Sequence, residues 1–308
     1  MQSASTILMV RPFKFLSNPE TRTSNAFQNP DLVSEEFVTK HSLEEFDNMV
    51  HKLLSERVTV IVFQDPGEVF TPDSLFPNNW ISFHDNGSII LYPMQAPNRR
   101  LERRTDQVLS LLNQNGIHYD QIIDLTYFER QSIFLEGTGS MVLDRENKIA
   151  FACLSPRTDL EALKKFSEIS GYSFFAFHAY DKKNQAIYHT NVMMCIGTHF
   201  ILACLESIQS QEEKKSFLDT VNKTGKSFIE ISLDQMNHFA GNMLEVKNEL
   251  NESLIILSKQ AFDSLFQNQK DQLNSYARMV PISLDIIEKN GGGSARCMMA
   301  EIHFNNLN

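Results

Sequence analysis

The sequence predicts one α/β domain of five ββαβ units arranged radially, with strands inside and helices outside. Pairs of β-forming runs recur five times along the 308 residues, starting near residues 80, 140, 191, 242 and 295. Helical stretches lie between these pairs, and each is followed by one further short strand. Because a unit of this size cannot bury its own faces, five units are expected to close into a ring.

Turn residues separate the two β runs of each pair, as in hairpins. The first pair turns at Asp85-Asn86-Gly87, the second at "RENK" and the third near Gly197. The fourth is "NMLEVKNELNESLIIL". The fifth pairs "SARCMMAEIHF" at the C-terminus with "TILMVRP" at the N-terminus, which brings the two ends of the chain together.

The stretches between the hairpins have helical character and mostly end at glycine, which favours the left-handed conformation of a helix C-terminus. We therefore expect one domain over residues 1–308, and a two-domain α/β protein with accidental spacing is the alternative. The helical stretches are "RRTDQVLSLLNQNG", "DLEALKKFSEISG", "QEEKKSFLDTVNKTG" and "KQAFDSLFQNQKDQL".

Composition and charge argue against a nucleic-acid-binding protein, a secreted protein and a membrane-spanning protein. The formal net charge is -10, and the most basic stretch, "NRRLERR", is interpreted as a solvated helix face. The four cysteines form no CxxC pair, and the N-terminus lacks a basic signal-peptide region. The longest apolar stretch, "NVMMCIGTHFILACL", is too short to span a bilayer. We expect a cytoplasmic protein with no nucleic-acid or membrane partner.

Three residues with catalytic chemistry stand at equivalent hairpin entrances: Glu136, His189 and Cys297. Each alone has a structural explanation: a solvated turn glutamate, a structural histidine and a buried thiol. Together they match a nucleophile, a base and a group that orients the base. Asn191 is expected on the same strand face as His189. The spacing of His189, Cys195, His199 and Cys204 does not match a zinc site, so no metal is expected.

The motifs carrying these residues resemble the guanidine-modifying superfamily, whose fold is the five-bladed α/β propeller, or pentein. "LEGTGS" is similar to its glutamate element, "YHTNVM" to its histidine element and "GGGSARCM" to its cysteine element. "RPFKFLSNPETRTSNAFQ", "TPDSLFPNNWISFH", "LSPRTD" and "HFAGNMLEV" resemble the arginine deiminase-related, or citrulline utilisation hydrolase, branch.

The chain departs from the deiminase pattern at two places. Asn191 stands where an aspartate usually follows the histidine, and "NNWISFH" lacks the aspartate of the first hairpin. Asp73, Asn79 and His84 are candidates for the missing contacts. A guanidinium offers only donors and suits carboxylates, whereas an amide suits a neutral ureido group. This favours citrulline as the substrate, with arginine deiminase or dihydrolase activity, amidino transfer and a non-catalytic binding protein as alternatives.

The resemblance implies cysteine-dependent hydrolysis of a carbon–nitrogen bond without a cofactor. Cys297 attacks as a thiolate, which a cationic substrate or protonated His189 could favour, and N–H groups of the 291–297 loop are candidates to stabilise developing charge. Arg157 and Arg11 are candidates to bind the substrate carboxylate. The expected partner is a small-molecule amino acid substrate. The sequence allows a homodimer without requiring one, and the polar loop "SNPETRTSN" is a candidate lid.

Overall fold

The computed structural model describes residues 1–22, 25–30 and 33–304. These residues form fifteen strands and eleven α-helices. The strands are β1 (Thr6–Arg11), β2 (Thr59–Gln64), β3 (Ile81–Phe83), β4 (Ser88–Leu91), β5 (Gln121–Asp124), β6 (Val142–Asp144), β7 (Ile149–Cys153), β8 (Ser173–Phe177), β9 (Met194–Ile196), β10 (Phe200–Ala203), β11 (Ser227–Glu230), β12 (Leu244–Lys247), β13 (Ser253–Ser258), β14 (Arg278–Ile282) and β15 (Ala300–Ile302).

Helices connect the second and third strands of each ββαβ unit or lie in the connection before a first strand. The helices are α1 (Glu35–Ser55), α2 (Pro97–Arg100), α3 (Thr105–Gln114), α4 (Gly137–Ser140), α5 (Leu160–Ser170), α6 (Thr190–Met193), α7 (Gln211–Lys223), α8 (Leu233–Asn237), α9 (Lys259–Ser264), α10 (Gln267–Tyr276) and α11 (Asp285–Gly291). Short 3₁₀ turns cover Pro77–Asn79, Thr126–Gln131, Leu205–Ser207 and Ala295–Met298.

The strands of the described residues form five three-stranded sheets with one shared topology. In each sheet the middle strand pairs antiparallel with one neighbour and parallel with the other. A helical connection joins the middle strand to its parallel neighbour, which is the predicted ββαβ unit. The strand orders are β15-β1-β2, β3-β4-β5, β6-β7-β8, β9-β10-β11 and β12-β13-β14.

The two ends of the described chain share one sheet, as the sequence predicts. Thr6 of β1 is paired with Ile302 of β15, and Leu8 with Ala300. This pairing fixes the segment that precedes β15 beside the N-terminal strand.

Glycine follows three of the predicted helices in the left-handed conformation. Gly171 (φ 74°) caps α5, and Gly116 (φ 71°) and Gly225 (φ 73°) follow α3 and α7. An L side chain would be strained at such a φ, so glycine ends these helices at little cost.

The predicted entrances of three hairpins are wrong in detail, because each begins with a single helical turn. The turns are α4, α6 and the 3₁₀ turn Ala295–Met298. Hydrogen bonds from side chains to the backbone stabilise such turns, where pairing with a neighbouring strand would otherwise do so. In α6, for example, the Thr190 hydroxyl donates to Ser140 O at 2.6 Å and accepts from Cys153 N at 2.8 Å. Asn191 is therefore helical and does not share a strand face with His189.

Candidate active site

Five segments lead into the first strands of the five sheets, and their polar side chains converge. Each segment ends a connection between sheets, so residues far apart in sequence become neighbours. The residues are Asn79 before β3, Glu136 before β6, His189 before β9, Asn242 before β12 and Cys297 before β15.

The carboxylate of Glu136 orients the imidazole of His189. The distance between Glu136 Oε2 and His189 Nε2 is 2.8 Å. Burial raises the pKa of Glu136, but the charge of Arg157 and the hydrogen bond with His189 outweigh it and lower that pKa to about 2. Because an ionised carboxylate can only accept, Nε2 carries the proton and Nδ1 is the basic nitrogen.

His189 is neutral at pH 7. Burial lowers its pKa to about 4, against the opposing effect of Glu136. The expectation that a protonated His189 favours the Cys297 thiolate is therefore wrong for the substrate-free protein. Neutral imidazole is suited instead to accept the thiol proton.

Two carboxamides donate to the sulfur of Cys297. Asn242 Nδ2 lies 3.3 Å from Sγ, and Asn191 Nδ2 lies 3.4 Å from it. The expected N–H donors of the preceding loop are partly engaged elsewhere. Cys297 N donates to Ser294 O at 2.9 Å, and Arg296 N donates to Asn242 Oδ1 at 3.1 Å. Side chains thus supply the donors at the nucleophile.

A small cavity joins the thiol, the imidazole and two arginines. The glycine run forms one wall, where a side chain on Gly291 or Gly293 would meet the ring of Phe76 at 2.9 Å. Gly291 and Gly293 therefore allow the backbone to pack against that ring. The lining residues are Asn25, Asp73, Phe76, Asn79, Arg99, Arg157, Tyr188, His189, Gly291, Gly292, Gly293 and Cys297.

Arg99 is a buried member of this cavity, so the interpretation of "NRRLERR" as a solvated face is wrong at this position. Its Nε and Nη2 each donate to the Glu102 carboxylate at 3.0 Å, and its Nη1 donates to Asn79 Oδ1 at 2.8 Å. It also lies 3.6 Å from Asp73 and 3.7 Å from Glu136. Paired carboxylates compensate for removing the guanidinium from water.

Gly139 keeps two of these side chains close to the backbone of α4. A Cβ at this position would lie 2.3 Å from Asn79 Nδ2 and 2.8 Å from His189 Nδ1. Only glycine leaves space for both, which explains the second glycine of "LEGTGS".

The family model described as N,N dimethylarginine dimethylhydrolase, eukaryotic, matches residues 11–304. The chain belongs to this family. The family lies in the guanidine-modifying, or pentein, superfamily, and the superfamily resemblance drawn from the sequence is confirmed. No curated protein matches the chain.

Solved structures share the fold of this N,N dimethylarginine dimethylhydrolase family member. ArgZ, an arginine dihydrolase from the ornithine-ammonia cycle in Cyanobacteria, is 18% identical with a TM-score of 0.73, over 96% of this chain and 40% of that chain. A substrate-bound mutant of the ArgZ N-terminal domain is 17% identical with a TM-score of 0.73, over 97% of this chain and 99% of that chain. A dimethylarginine dimethylaminohydrolase adduct with 4-chloro-2-hydroxymethylpyridine is 14% identical with a TM-score of 0.63, over 96% of this chain and 99% of that chain.

These identities support a shared fold and no more. The chain spans about 40% of the length of full ArgZ, so the activity of that whole protein is not carried over.

The structure brings most of the predicted site residues of this family member together. Cys297, His189, Asp73, Asn79 and Arg157 line the cavity. Two further predicted residues contact these: Glu136 is hydrogen-bonded to His189, and Asn191 is hydrogen-bonded to Cys297.

Arg11 and His84 lie elsewhere. Arg11 Nε and Nη2 bond to Asp47 of α1 at 2.7 and 2.8 Å, outside the cavity lining. The prediction that Arg11 binds the substrate carboxylate is therefore corrected. His84 directly follows β3, and its Nε2 lies 2.8 Å from Ser82 Oγ in a buried contact outside the cavity lining.

The polar stretch "SNPETRTSN" lies beside the cavity, although its residues 23 and 24 fall outside the described part of the chain. Asn18 Nδ2 donates to Asp73 Oδ2 at 2.7 Å, and Arg157 Nη2 donates to Thr21 O at 3.3 Å. These contacts attach the stretch to the wall of the cavity.

Sequence reasoning missed Arg99, Glu102 and Asn242. The Arg-x-x-Glu spacing of Arg99 and Glu102, just after Pro97, is the local signal that a pair could form. Asn242 stands at the fourth predicted hairpin entrance, the same position in the repeat as the predicted catalytic residues.

Two further predictions concern metals and membranes. Over residues 1–22, 25–30 and 33–304, no three His, Cys, Asp or Glu side chains are grouped so that they could hold a metal ion. Within those same ranges, no helix is long and apolar enough to cross a bilayer.

Proposed function

We propose that this protein hydrolyses the ureido group of citrulline to give ornithine, ammonia and carbon dioxide, with Cys297 as nucleophile. The observation that carries the proposal is the orientation of Asn79 in the cavity. Hydrolysis of arginine by the same residues is the second candidate, because structural neighbours are described as arginine dihydrolases.

The chemistry of Arg99 fixes the orientation of the Asn79 amide. A guanidinium has donors only, so the Asn79 atom 2.8 Å from Arg99 Nη1 must be the oxygen. Asn79 Nδ2 then points toward Gly139 and His189. It donates once to Asn78 Oδ1 at 3.1 Å, which leaves one N–H for a ligand. Asn79 therefore offers a donor beside the base.

A ureido group matches this arrangement better than a guanidinium does. The ureido oxygen can accept from Asn79, whereas a guanidinium would present a donor to a donor. Asp73 supplies the complementary acceptor, because its buried Oδ1 has no hydrogen-bond partner among the described residues. A site with one donor and one acceptor fits a carbonyl and its adjacent N–H.

Arg157 is the proposed contact for the substrate carboxylate. It lines the cavity with its guanidinium 4.8 Å above the ring of Tyr188. Arg157 also lies 3.6 Å from Glu136 and helps to keep that carboxylate ionised, so the substrate carboxylate and Glu136 would share the same guanidinium.

In the proposed reaction His189 carries two protons in turn, the first from the thiol and the second from water. Cys297 Sγ attacks the ureido carbon, and its proton passes to His189 Nδ1. His189 then gives that proton to the terminal nitrogen, the carbon–nitrogen bond breaks, and ammonia leaves. Water attacks the thiocarbamate carbon while His189 takes its proton. The carbon–sulfur bond breaks, the thiolate takes this second proton from His189, and the released carbamic acid divides into ornithine and carbon dioxide.

The five sheets are proposed to be the blades of a closed propeller, and contacts between the five entrances support this. Thr138 Oγ1 donates to Asn78 O at 3.3 Å, and Glu136 reaches His189. Asn242 Nδ2 donates to Asn191 O at 2.9 Å and approaches Cys297. The turn around Cys297 contacts Pro77–Asn79, which would complete the ring.

The acid limb of kcat/KM for citrulline is expected near pH 4. Below that pH, protonated His189 cannot accept the thiol proton, because burial has lowered its pKa from 6.5 to about 4. Activity should then fall about tenfold per pH unit. Initial rates at low substrate concentration across the acid range check this. A limb near 6.5 in a folded protein would contradict the assignment of a neutral buried base.

Turnover of L-citrulline by the purified protein tests the proposed function. Ornithine and ammonia should form in equal amounts, and Cys297→Ala should abolish both. Cys204→Ala is the matched control, because it removes a buried thiol outside the cavity lining. Conversion of arginine with no turnover of citrulline would replace the proposal with the second candidate. No turnover of either would contradict both.

A further inference from the structure

Asn242 contacts the nucleophile from the bend before β12. It is fully buried in the bend before β12, where its N–H donates to Phe239 O at 2.8 Å. The preceding Gly241 allows a close approach to α6, since a Cβ there would lie 2.4 Å from Val192 O. The "AGN" sequence thus packs this bend directly against the turn that carries Asn191.

Two backbone groups fix the direction of the Asn242 carboxamide. Its Oδ1 accepts from Arg296 N at 3.1 Å, and its Nδ2 donates to Asn191 O at 2.9 Å. Rotating the amide by 180° would place N–H against N–H and oxygen against oxygen. The second hydrogen of Nδ2 is therefore directed to Cys297 Sγ at 3.3 Å, whereas the thiol reaches Asn242 Oδ1 only at the longer distance of 3.7 Å.

We propose that Asn242 is a catalytic residue that holds the Cys297 sulfur and stabilises the negative charge formed on it. The proposal rests on the proposed function only in taking Cys297 as the nucleophile. A hydrogen bond to an ionised acceptor is stronger than one to the neutral form, so a fixed N–H favours the thiolate over the thiol.

Arg99 and Arg157 also line the cavity, but they pair with Glu102 and Glu136, and the side chains that donate to the sulfur are neutral carboxamides. The imidazole of His189 is held by Glu136 and is uncharged at pH 7, so it does not form a standing ion pair with the sulfur. Asn191 is a second donor, but its Oδ1 has no hydrogen-bond partner among the described residues, and nothing fixes the direction of its amide. Asn242 is held at both ends.

The role predicts a specific change in thiol reactivity. In Asn242→Ala, the pH midpoint for alkylation of Cys297 by iodoacetamide should rise by about one unit, with roughly tenfold slower alkylation at pH 7. In the near-isosteric Asn242→Asp the midpoint should rise further, because a carboxylate repels the thiolate.

Mass spectrometry of the Cys297 peptide measures this rate free of the other thiols. Burial raises the pKa of Cys153 to about 12 and that of Cys204 to about 11, so these react slowly near neutrality. Asn248→Ala is the matched control, because it removes a buried carboxamide at the other end of β12 and should leave the midpoint unchanged.

An unchanged midpoint in both Asn242 variants would overturn the proposal, even if their turnover falls, because a purely structural role would lower activity without moving the midpoint. If the alanine variant does not fold, as judged by circular dichroism, the aspartate variant decides alone. Alkylation needs no substrate, so a shifted midpoint without citrulline turnover would reject only the proposed function.

Discussion

Glu136→Gln is expected to lower kcat for citrulline by about 10²–10⁴-fold, the range of general acid–base catalysis. The glutamine still fills the space, but it no longer fixes the His189 tautomer through an ionised acceptor. It also removes the counter-charge 3.6 Å from Arg157 and 3.7 Å from Arg99, which leaves two buried cations beside the base. Steady-state rates at saturating citrulline measure the effect.

Glu129→Gln is the matched control for this change. Glu129 also pairs with two arginines, Arg103 at 2.6 Å and Arg100 at 3.5 Å, but it does not line the cavity. It should keep kcat within about threefold of the unchanged protein, as expected for a partly exposed pair. If Glu136→Gln folds and retains half of the original kcat, the orienting role of this carboxylate is wrong.

Asn79→Asp is expected to move the substrate preference from citrulline toward arginine. The carboxylate would replace the only donor assigned to the ureido oxygen with an acceptor suited to a guanidinium. Citrulline kcat/KM should fall about 100-fold, equivalent to roughly 3 kcal/mol for a lost hydrogen bond to a developing charge. Arginine turnover should rise in the same variant.

Asn115→Asp makes the same chemical change at the exposed end of α3 and should alter neither substrate. Amino-acid analysis of parallel reactions with each substrate gives both rates. Equal losses for citrulline and arginine in Asn79→Asp would mean that Asn79 does not discriminate between the two groups.

The sequence was sufficient for the ββαβ repeat because each unit carries local signals. Turn residues such as Asn86-Gly87 and helix-ending glycines such as Gly171 act within a few residues of the structure that they determine. The convergence of Glu136, His189 and Cys297 followed from their equivalent places in the repeat.

The residues that sequence reasoning misjudged depend on contacts across the fold. Arg99 looks solvated in a basic stretch, and its burial depends on contacts with Asn79 and Asp73 from another segment as well as on the nearby Glu102. Arg11 has the strand-end position of a candidate for carboxylate binding, but α1 supplies Asp47 as its partner. Asn242 becomes informative only once its amide is seen between Arg296 N and Cys297.

The ratio of kcat/KM for citrulline and arginine, measured in one competition reaction, tests the central claim most directly. Carbon-13 in the ureido group of citrulline and nitrogen-15 in the guanidinium of arginine distinguish the two products. The account predicts labelled bicarbonate from citrulline at a kcat/KM at least about 100-fold above that for arginine, since a site matched to one hydrogen-bonding pattern rejects the other. Label that stays in citrulline while arginine is consumed would contradict it.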